Sequence, residues 1–323
     1  MSLQGRNFYC RVERDSIAPN SKRLTTFVIT FPRIILAELR TMRVLSKWGY
    51  VEIDDDAGAS FSMNSASSRA IPTNKLLQAV IDHPFVPEEV YKNQSGMQGS
   101  ELLDVADLLS FQAWWRKQGR ITVGLVREQM EKYNIHKQTV NRLLEPWLWT
   151  TIVCSGTEWS NFFALRTDAA AQPEFRTIAR MMYDAYCEST PQLLHPGNWH
   201  LPFTDQYTDA EIENYMIENG YDPDCPIGQW LGEIQVLKRQ VSAGRCAAVS
   251  YDNLENNERQ AIPEVLARYA KLMGGDLKHS SPCEHQGTPV EDPEHISGNF
   301  RGWDQLRKYI SNETILNFNG YRD

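Results

Sequence analysis

One run of eight residues constrains the fold most. Residues 24–31 (LTTFVITF) alternate, are β-branched or aromatic at all but the first position, and end at Pro32. This reads as a strand, because such side chains suit a pleated surface and proline gives the ladder no donor. Helical patterns surround it. Residues 34–46 are rich in Leu and Arg, residues 100–119 carry Val105, Leu108, Leu109, Phe111 and Trp115 at near-helical spacing, and residues 122–133 read as a further helix. Residues 174–188 put Phe175, Ile178, Ala179, Met182 and Tyr186 on one face, the pattern of an amphipathic helix. Residues 209–219 and 263–273 add two more helices, the second with proline in its first turn. Residues 146–154 fit either a buried strand or a helix end, while 52–60 (EIDDDAGAS) and the Pro-, Gly- and His-rich stretch 283–302 read as loops. The expected class is α+β, rich in helix, with no fixed-period repeat.

The chain has 323 residues, which suits two units of about 150 or one large mixed domain. Its formal net charge of −8 argues against a general nucleic-acid sleeve or a binder of anionic membranes. Hydrophobic residues at 41% and charged residues at 23% describe a globular chain with a sizeable core, and exclude a disordered or fibrous one. No run of about 18 apolar residues occurs, so no membrane span is expected. The opening MSLQGRNFYCRVERD has charges where a signal peptide needs its apolar stretch, so a cytoplasmic protein is expected. The cysteines, Cys10, Cys154, Cys187, Cys225, Cys246 and Cys283, are scattered singly, which speaks for reduced thiols and against a zinc ribbon or disulfide framework.

Three polar clusters are candidates for chemistry, and each also has a plain structural reading. Residues 62–69 (SMNSASSR) follow Arg40 and Arg43 and combine short hydroxyl and amide donors with arginine, a donor set that suits phosphate. The plain alternative is a Ser-rich turn leading into a helix. Residues 158–176 hold Asn161, Arg166 and Gln172 among aromatics and alanines, where a planar guanidinium could meet the carbonyl edge of a heterocycle. The alternative is a helix with a solvated arginine. Residues 278–285 (KHSSPCEH) invite a metal site or a Cys283 nucleophile, but the spacing matches no metal motif and adjacent positions seldom set up base-assisted attack. No P-loop, GxGxxG or GxSxG is present, so any phosphate must be held by side chains.

Together the clusters resemble the flavin-dependent thymidylate synthases, in particular long phage and bacterial members. That family's signature is Arg-His-Arg followed closely by Ser-x-Asn-x-x-Ser-x-Arg. Residues 41–46 (TMRVLS) resemble its start and 62–69 its end, with 47–61 read as an insertion. A later family block is similar to Asn161, Leu165, Arg166, Ala171, Gln172 and Glu174, and residues 141–146 (NRLLEP) resemble the arginine that reaches a nucleotide phosphate across a subunit boundary. The family's opening segments are similar to residues 246–251 (CAAVSY) and 279–285 (HSSPCEH), which here follow the signature rather than precede it, with Asn256, Glu258 and Arg259 opening a helix between them. The resemblance therefore implies a circular permutation. Residues 11–190 would form the signature and nucleotide-binding part, 191–240 an unplaced insertion, 241–303 the flavin-binding part and 304–323 a tail.

The resemblance implies helices packed on a mainly antiparallel sheet, FAD at the subunit interfaces of a homotetramer, NADPH as reductant and 5,10-methylenetetrahydrofolate as carbon donor, with dUMP becoming dTMP. Carried over residue by residue, Arg69 and Arg142 with Ser67 and Ser68 would bind the nucleotide phosphate, and Arg166 would face the pyrimidine and act in catalysis. Arg43, Asn64, Asn161, Ser250, His279, Ser281 and Glu284 would surround the flavin. The chain departs from the signature at Thr41 and Met42, where the family has Arg and His, at Ser65 in place of an acidic residue, and at Ala170, where a histidine is expected. These departures keep open another pyrimidine such as dCMP, a hydroxymethyl product, or a catalytically silent nucleotide- or flavin-binding protein.

Overall fold

The structure, a computed structural model, describes residues 7–40, 61–65, 67–250, 259–275 and 278–313, the side chain of Ser250 excepted. Strand β1 (Tyr9–Ile17) and strand β2 (Arg23–Pro32) form an antiparallel pair. The sequence-predicted strand is thus present, closed by Pro32 and followed by a 3-10 turn at Arg33–Ile35 and the short helix α1 (Leu36–Arg40). Then come β3 (Ser62–Ser65), α2 (Thr73–Asp82), α3 (Val105–Tyr133), α4 (Lys137–Val140), a 3-10 segment at Asn141–Trp147, β4 (Trp149–Gly156), α5 (Ser160–Arg166), α6 (Pro173–Glu188) and β5 (Gln192–Leu193). The C-terminal part holds α7 (Asp209–Glu218), α8 (Ile227–Ala247), α9 (Ile262–Met273), a 3-10 turn at Ser281–Glu284, and the short strands β6 (Gly287–Pro289), β7 (Ile296–Ser297), β8 (Phe300–Arg301) and β9 (Trp303–Gln305).

The main sheet has the order β3-β4-β2-β1-β5 and is antiparallel except for β5, which runs parallel to β1. Alternation along β2 divides its side chains between two layers. Phe27, Ile29 and Phe31, with Ile152 and Cys154 of β4, pack on Phe175, Ile178, Ala179 and Met182 of α6. That helix face is the one its sequence periodicity predicts. Val28 and Val153 point the other way, onto Phe203, Cys246 and Val249 of the C-terminal part. A second core joins α7, α8 and α9 through Ile212, Met216, Ile234, Leu237, Val241 and Val265. Helices α8 and α9 meet where Gly244 lets the backbones close: a Cβ there would lie 2.5 Å from the Val265 carbonyl oxygen.

Several expectations are revised. The helices expected over 100–119 and 122–133 are one helix, α3, started by the Asp104 side chain accepting from the Asp107 amide. Gly119 does not break it, because the missing Cβ is the space into which Trp147 packs. Of residues 146–154, Pro146 and Trp147 end the 3-10 segment and 149–154 belong to strand β4. The 283–302 loop contains short paired strands, and Gln305 and Leu306 just beyond it are buried. The unplaced stretch 191–240 contributes α7 and most of α8. Of the helix expected over 34–46, residues 34–40 are helical and 41–46 lie outside the described residues, as do the expected loop 52–60 and the Asn256–Glu258 opening. Among the described residues no helix is long and apolar enough to cross a membrane.

Candidate functional site

The end of β3 runs into a turn carrying Ser67, Ser68 and Arg69, and that turn is fastened to a distant part of the chain. Buried Asn141 donates from Nδ2 to the carbonyls of Ser68 (2.7 Å) and Ile71 (3.0 Å), and Lys137 Nζ donates to the Ala70 carbonyl at 3.1 Å. The same fastening brings Arg142 and Glu145 beside Ser68. The Ser68 hydroxyl and Arg142 Nη1 each donate to Glu145 Oε1 at 2.8 Å. Arg33 enters from the end of β2, its backbone amide donating to the Leu148 carbonyl at 2.8 Å, and its Nε lies 3.1 Å from the same Glu145 oxygen. Arg40 donates to the Ser65 hydroxyl at the edge of the group. Burial pushes the Arg33 guanidinium down; Glu145 opposes that, and the charges of Arg142 and Arg40 add to it. Burial works to raise the Glu145 carboxyl, but the Ser68 hydroxyl, Arg33 and Arg142 together hold it below the usual carboxylate range. The result is an arginine-rich corner with one ionised carboxylate at its centre.

Ser68 and Arg142, expected to act together, therefore share this corner, with Ser67 and Arg69 on the same turn as Ser68. Arg69 is exposed, and its amide is fixed by the Ser67 hydroxyl at 3.3 Å. Arg33 and Glu145 belong to the corner as well. The only sequence signals for them are the Pro32 that ends β2 and the presence of Glu145 inside the motif around Arg142.

The opposite side of β3 meets the C-terminal part. The strand lies against the turns at Ala248–Ser250 and Ser281–Glu284. Asn64 Nδ2 donates to the Cys246 carbonyl at 3.3 Å. Gln305 Nε2 bridges Ser62 Oγ at 3.3 Å and the Glu284 carbonyl at 3.1 Å. The blocks at 62–69, 246–250 and 279–285, far apart in sequence, are thus neighbours in space. His279 and Ser281 are exposed on this turn, and the Glu284 carboxylate pairs with Arg307. Arg43 and the Ser250 side chain lie outside the described residues, as do Thr41 and Met42.

Asn161 and Arg166 ride on another element, α5. Asn161 is exposed in its first turn, and Arg166, at its C-terminal end, stacks its guanidinium 4.9 Å from the centre of the Phe175 ring. The N-terminal end of α5 is joined to β3 by Phe61, which stacks on Trp159 with centroids 4.0 Å apart. Beside this helix a depression of about 380 Å³ is lined by Trp159, Ser160, Phe163, Thr167, Tyr183 and Tyr186.

The three buried thiols are poor nucleophiles. Cys154, Cys246 and Cys283 are buried, and burial pushes each thiol up, Cys283 to about 12. Among the described residues no cluster of three metal-ligating side chains occurs.

No family model matches this chain, and no curated protein matches it. Among solved structures it is similar to a UMP/dUMP methylase from Streptomyces cacaoi bound with 5-Br UMP, with 12% sequence identity, covering 56% of this chain and 89% of that one at a TM-score of 0.42.

Proposed function

We propose that this chain is a flavin-dependent thymidylate synthase-like transferase that methylates dUMP at C5, with 5,10-methylenetetrahydrofolate as carbon donor. The observation that carries the reading is the arginine corner. Ser68, Arg142 and Arg33 converge on a single anionic oxygen at 2.8 to 3.1 Å, beside the strand whose sequence resembles the end of the family signature. The proximity of that strand to residues 246–250 and 279–285 supports the permuted arrangement that the resemblance implies.

In this reading the corner holds the nucleotide's 5′-phosphate. Arg142 and Arg69 neutralise the dianion through charge-assisted hydrogen bonds, and the Ser67 and Ser68 hydroxyls fix its orientation. Arg166 meets the carbonyl edge of the pyrimidine and stabilises the negative charge that develops on the ring during attack, a role worth ~3 kcal/mol for a single donor. Asn161, His279 and Ser281, all exposed, would offer polar groups to the flavin, with Asn64, Glu284, Arg43 and Ser250 completing the set. A flavin held there and reduced by NADPH would supply the hydride that the folate does not. Raised, buried thiols are consistent with a route that uses no enzyme cysteine on the pyrimidine. Homotetramer assembly is part of the same proposal.

The departures at Thr41, Met42 and Ala170 favour a second reading within the same chemistry, another pyrimidine or a hydroxymethyl product. The test of the proposal is turnover by the full chain with FAD, NADPH, methylenetetrahydrofolate and dUMP. NADPH oxidation that depends on both folate and dUMP, lost in Arg166→Ala while dUMP still binds, supports an enzyme. Nucleotide binding with no such turnover in either protein overturns it in favour of a silent binder.

A further inference from the structure

The anion at the centre of the arginine corner is one of the chain's own side chains. Glu145 Oε1 accepts from Ser68 Oγ and Arg142 Nη1, both at 2.8 Å, and lies 3.1 Å from Arg33 Nε. One oxygen that accepts from a hydroxyl and a guanidinium and is ion-paired with a second guanidinium has the surroundings a phosphate oxygen takes in an arginine site. The charges are unequal. The charges of Arg142 and Arg40 both act on Arg33, and Glu145 is the carboxylate set against it. The group is also open on one side. The Arg142 side chain is 50% exposed and that of Glu145 28%, whereas Arg33 at 10% is sunk into the protein.

We propose that Glu145 is an internal stand-in for the phosphate of a nucleoside monophosphate. It keeps Ser68, Arg142 and Arg33 in a binding arrangement when no substrate is present, and gives up these donors when a phosphate dianion arrives. This rests on the reading of the corner as the nucleotide's phosphate site. The backbone favours an exchange confined to the side chain: Pro146 fixes the chain immediately after Glu145, and Asn141 staples the preceding turn to residues 68 and 71. Glu145 is free to leave by rotating about its own side-chain bonds toward solvent. Two consequences follow for selectivity. A ligand must bring more negative charge than one carboxylate to win the donors, so a dianion displaces Glu145 and an uncharged nucleoside does not. The carboxylate also lowers the affinity for every anion by occupying the donors and repelling the newcomer.

The test is calorimetric titration of the full chain, with and without FAD, by inorganic phosphate, dUMP and deoxyuridine. Wild type is compared with Glu145→Gln and with Glu145→Asp, which keeps the charge but shortens its reach. Glu145→Gln is expected to bind inorganic phosphate and dUMP about tenfold more tightly, with deoxyuridine unchanged and Glu145→Asp intermediate. Phosphate is also expected to raise the melting temperature of Glu145→Gln more than that of wild type, because it replaces the counter-ion that buried Arg33 has lost. Phosphate binding that is unchanged or weaker in whichever variant folds shows Glu145 to be a simple buttress and overturns the proposal. If wild type prefers dUMP to deoxyuridine while the variants change nothing, the stand-in role alone falls. If wild type binds dUMP no better than deoxyuridine, the corner is not a phosphate site and both readings fall.

Discussion

Ser155 Oγ lies 2.8 Å from His285 Nδ1, and both residues are fully buried. Ser155 belongs to β4 and His285 follows the Ser281–Glu284 turn, 130 residues later, so this bond ties the central sheet to the C-terminal layer. It is one link of a longer chain. Ser155 Oγ is 2.6 Å from Thr26 Oγ1, Thr26 Oγ1 is 2.8 Å from His200 Nε2, and His200 Nδ1 is 2.9 Å from Ser16 Oγ. Three adjacent strands thus present hydroxyls on one face, and two uncharged histidines cap them.

That arrangement makes stability depend on pH. Burial pushes His200 well below its ordinary value, with the Arg14 charge and His285 adding to the effect, and burial alone takes His285 to about 3. An unfolded histidine titrates near pH 6.5, so below that the unfolded chain takes up protons that the folded chain refuses. The stabilisation is complete above pH 6.5 and shrinks by up to about 1.4 kcal/mol per pH unit for each histidine as pH falls. Urea midpoints measured from pH 7.5 to 5 should decline, and His285→Gln should flatten the slope. An equal slope in both proteins contradicts this.

Ser155→Ala removes the link that serves both Thr26 and His285. The buried His285 nitrogen left without this partner should destabilise the fold by about 1–3 kcal/mol. Chemical denaturation reads that loss directly, and a change under ~0.5 kcal/mol would show the seam to be dispensable.

Gly244→Ala tests the α8–α9 contact. The added methyl would meet the backbone of Val265, which has no side-chain freedom to yield, so the helices must separate. A loss of about 1–3 kcal/mol is expected. Thermal unfolding at wild-type temperature would disprove the close approach.

Thiol chemistry should sort the cysteines by burial. Cys187 is exposed, whereas Cys154, Cys246 and Cys283 are buried with their thiols pushed up. Brief alkylation of the native protein, followed by peptide mass mapping, should modify Cys187 and leave those three intact. Fast modification of Cys283 would contradict its placement.

Much of this architecture is legible locally. Strand β2 follows from eight residues and a proline, and α6 from its apolar period. The long helix α3 is misjudged as two because Gly119 reads as a breaker, whereas its role is to admit Trp147 from 28 residues away. The strands between residues 287 and 305 are too short to carry a pattern, and form because partners such as Gly287 and Gln305 meet. His200 gives no sequence signal, since Ser16 and Thr26 lie 184 and 174 residues distant. In the arginine corner, Ser68 and Arg142 are found through resemblance, while Arg33 enters only through the geometry after Pro32. Glu145 sits in plain view within the motif, but its place at the centre of the corner is a fact of three dimensions.

The central claim is one-carbon transfer to a pyrimidine nucleotide, and the most direct test is mass spectrometry of the nucleotide pool. The purified chain would be incubated with FAD, NADPH and methylenetetrahydrofolate, with dUMP and dCMP competing in one tube. The account predicts that dUMP gains the mass of a methyl group while dCMP is unchanged. A protein that binds and reduces flavin normally yet leaves both nucleotides unaltered would contradict it.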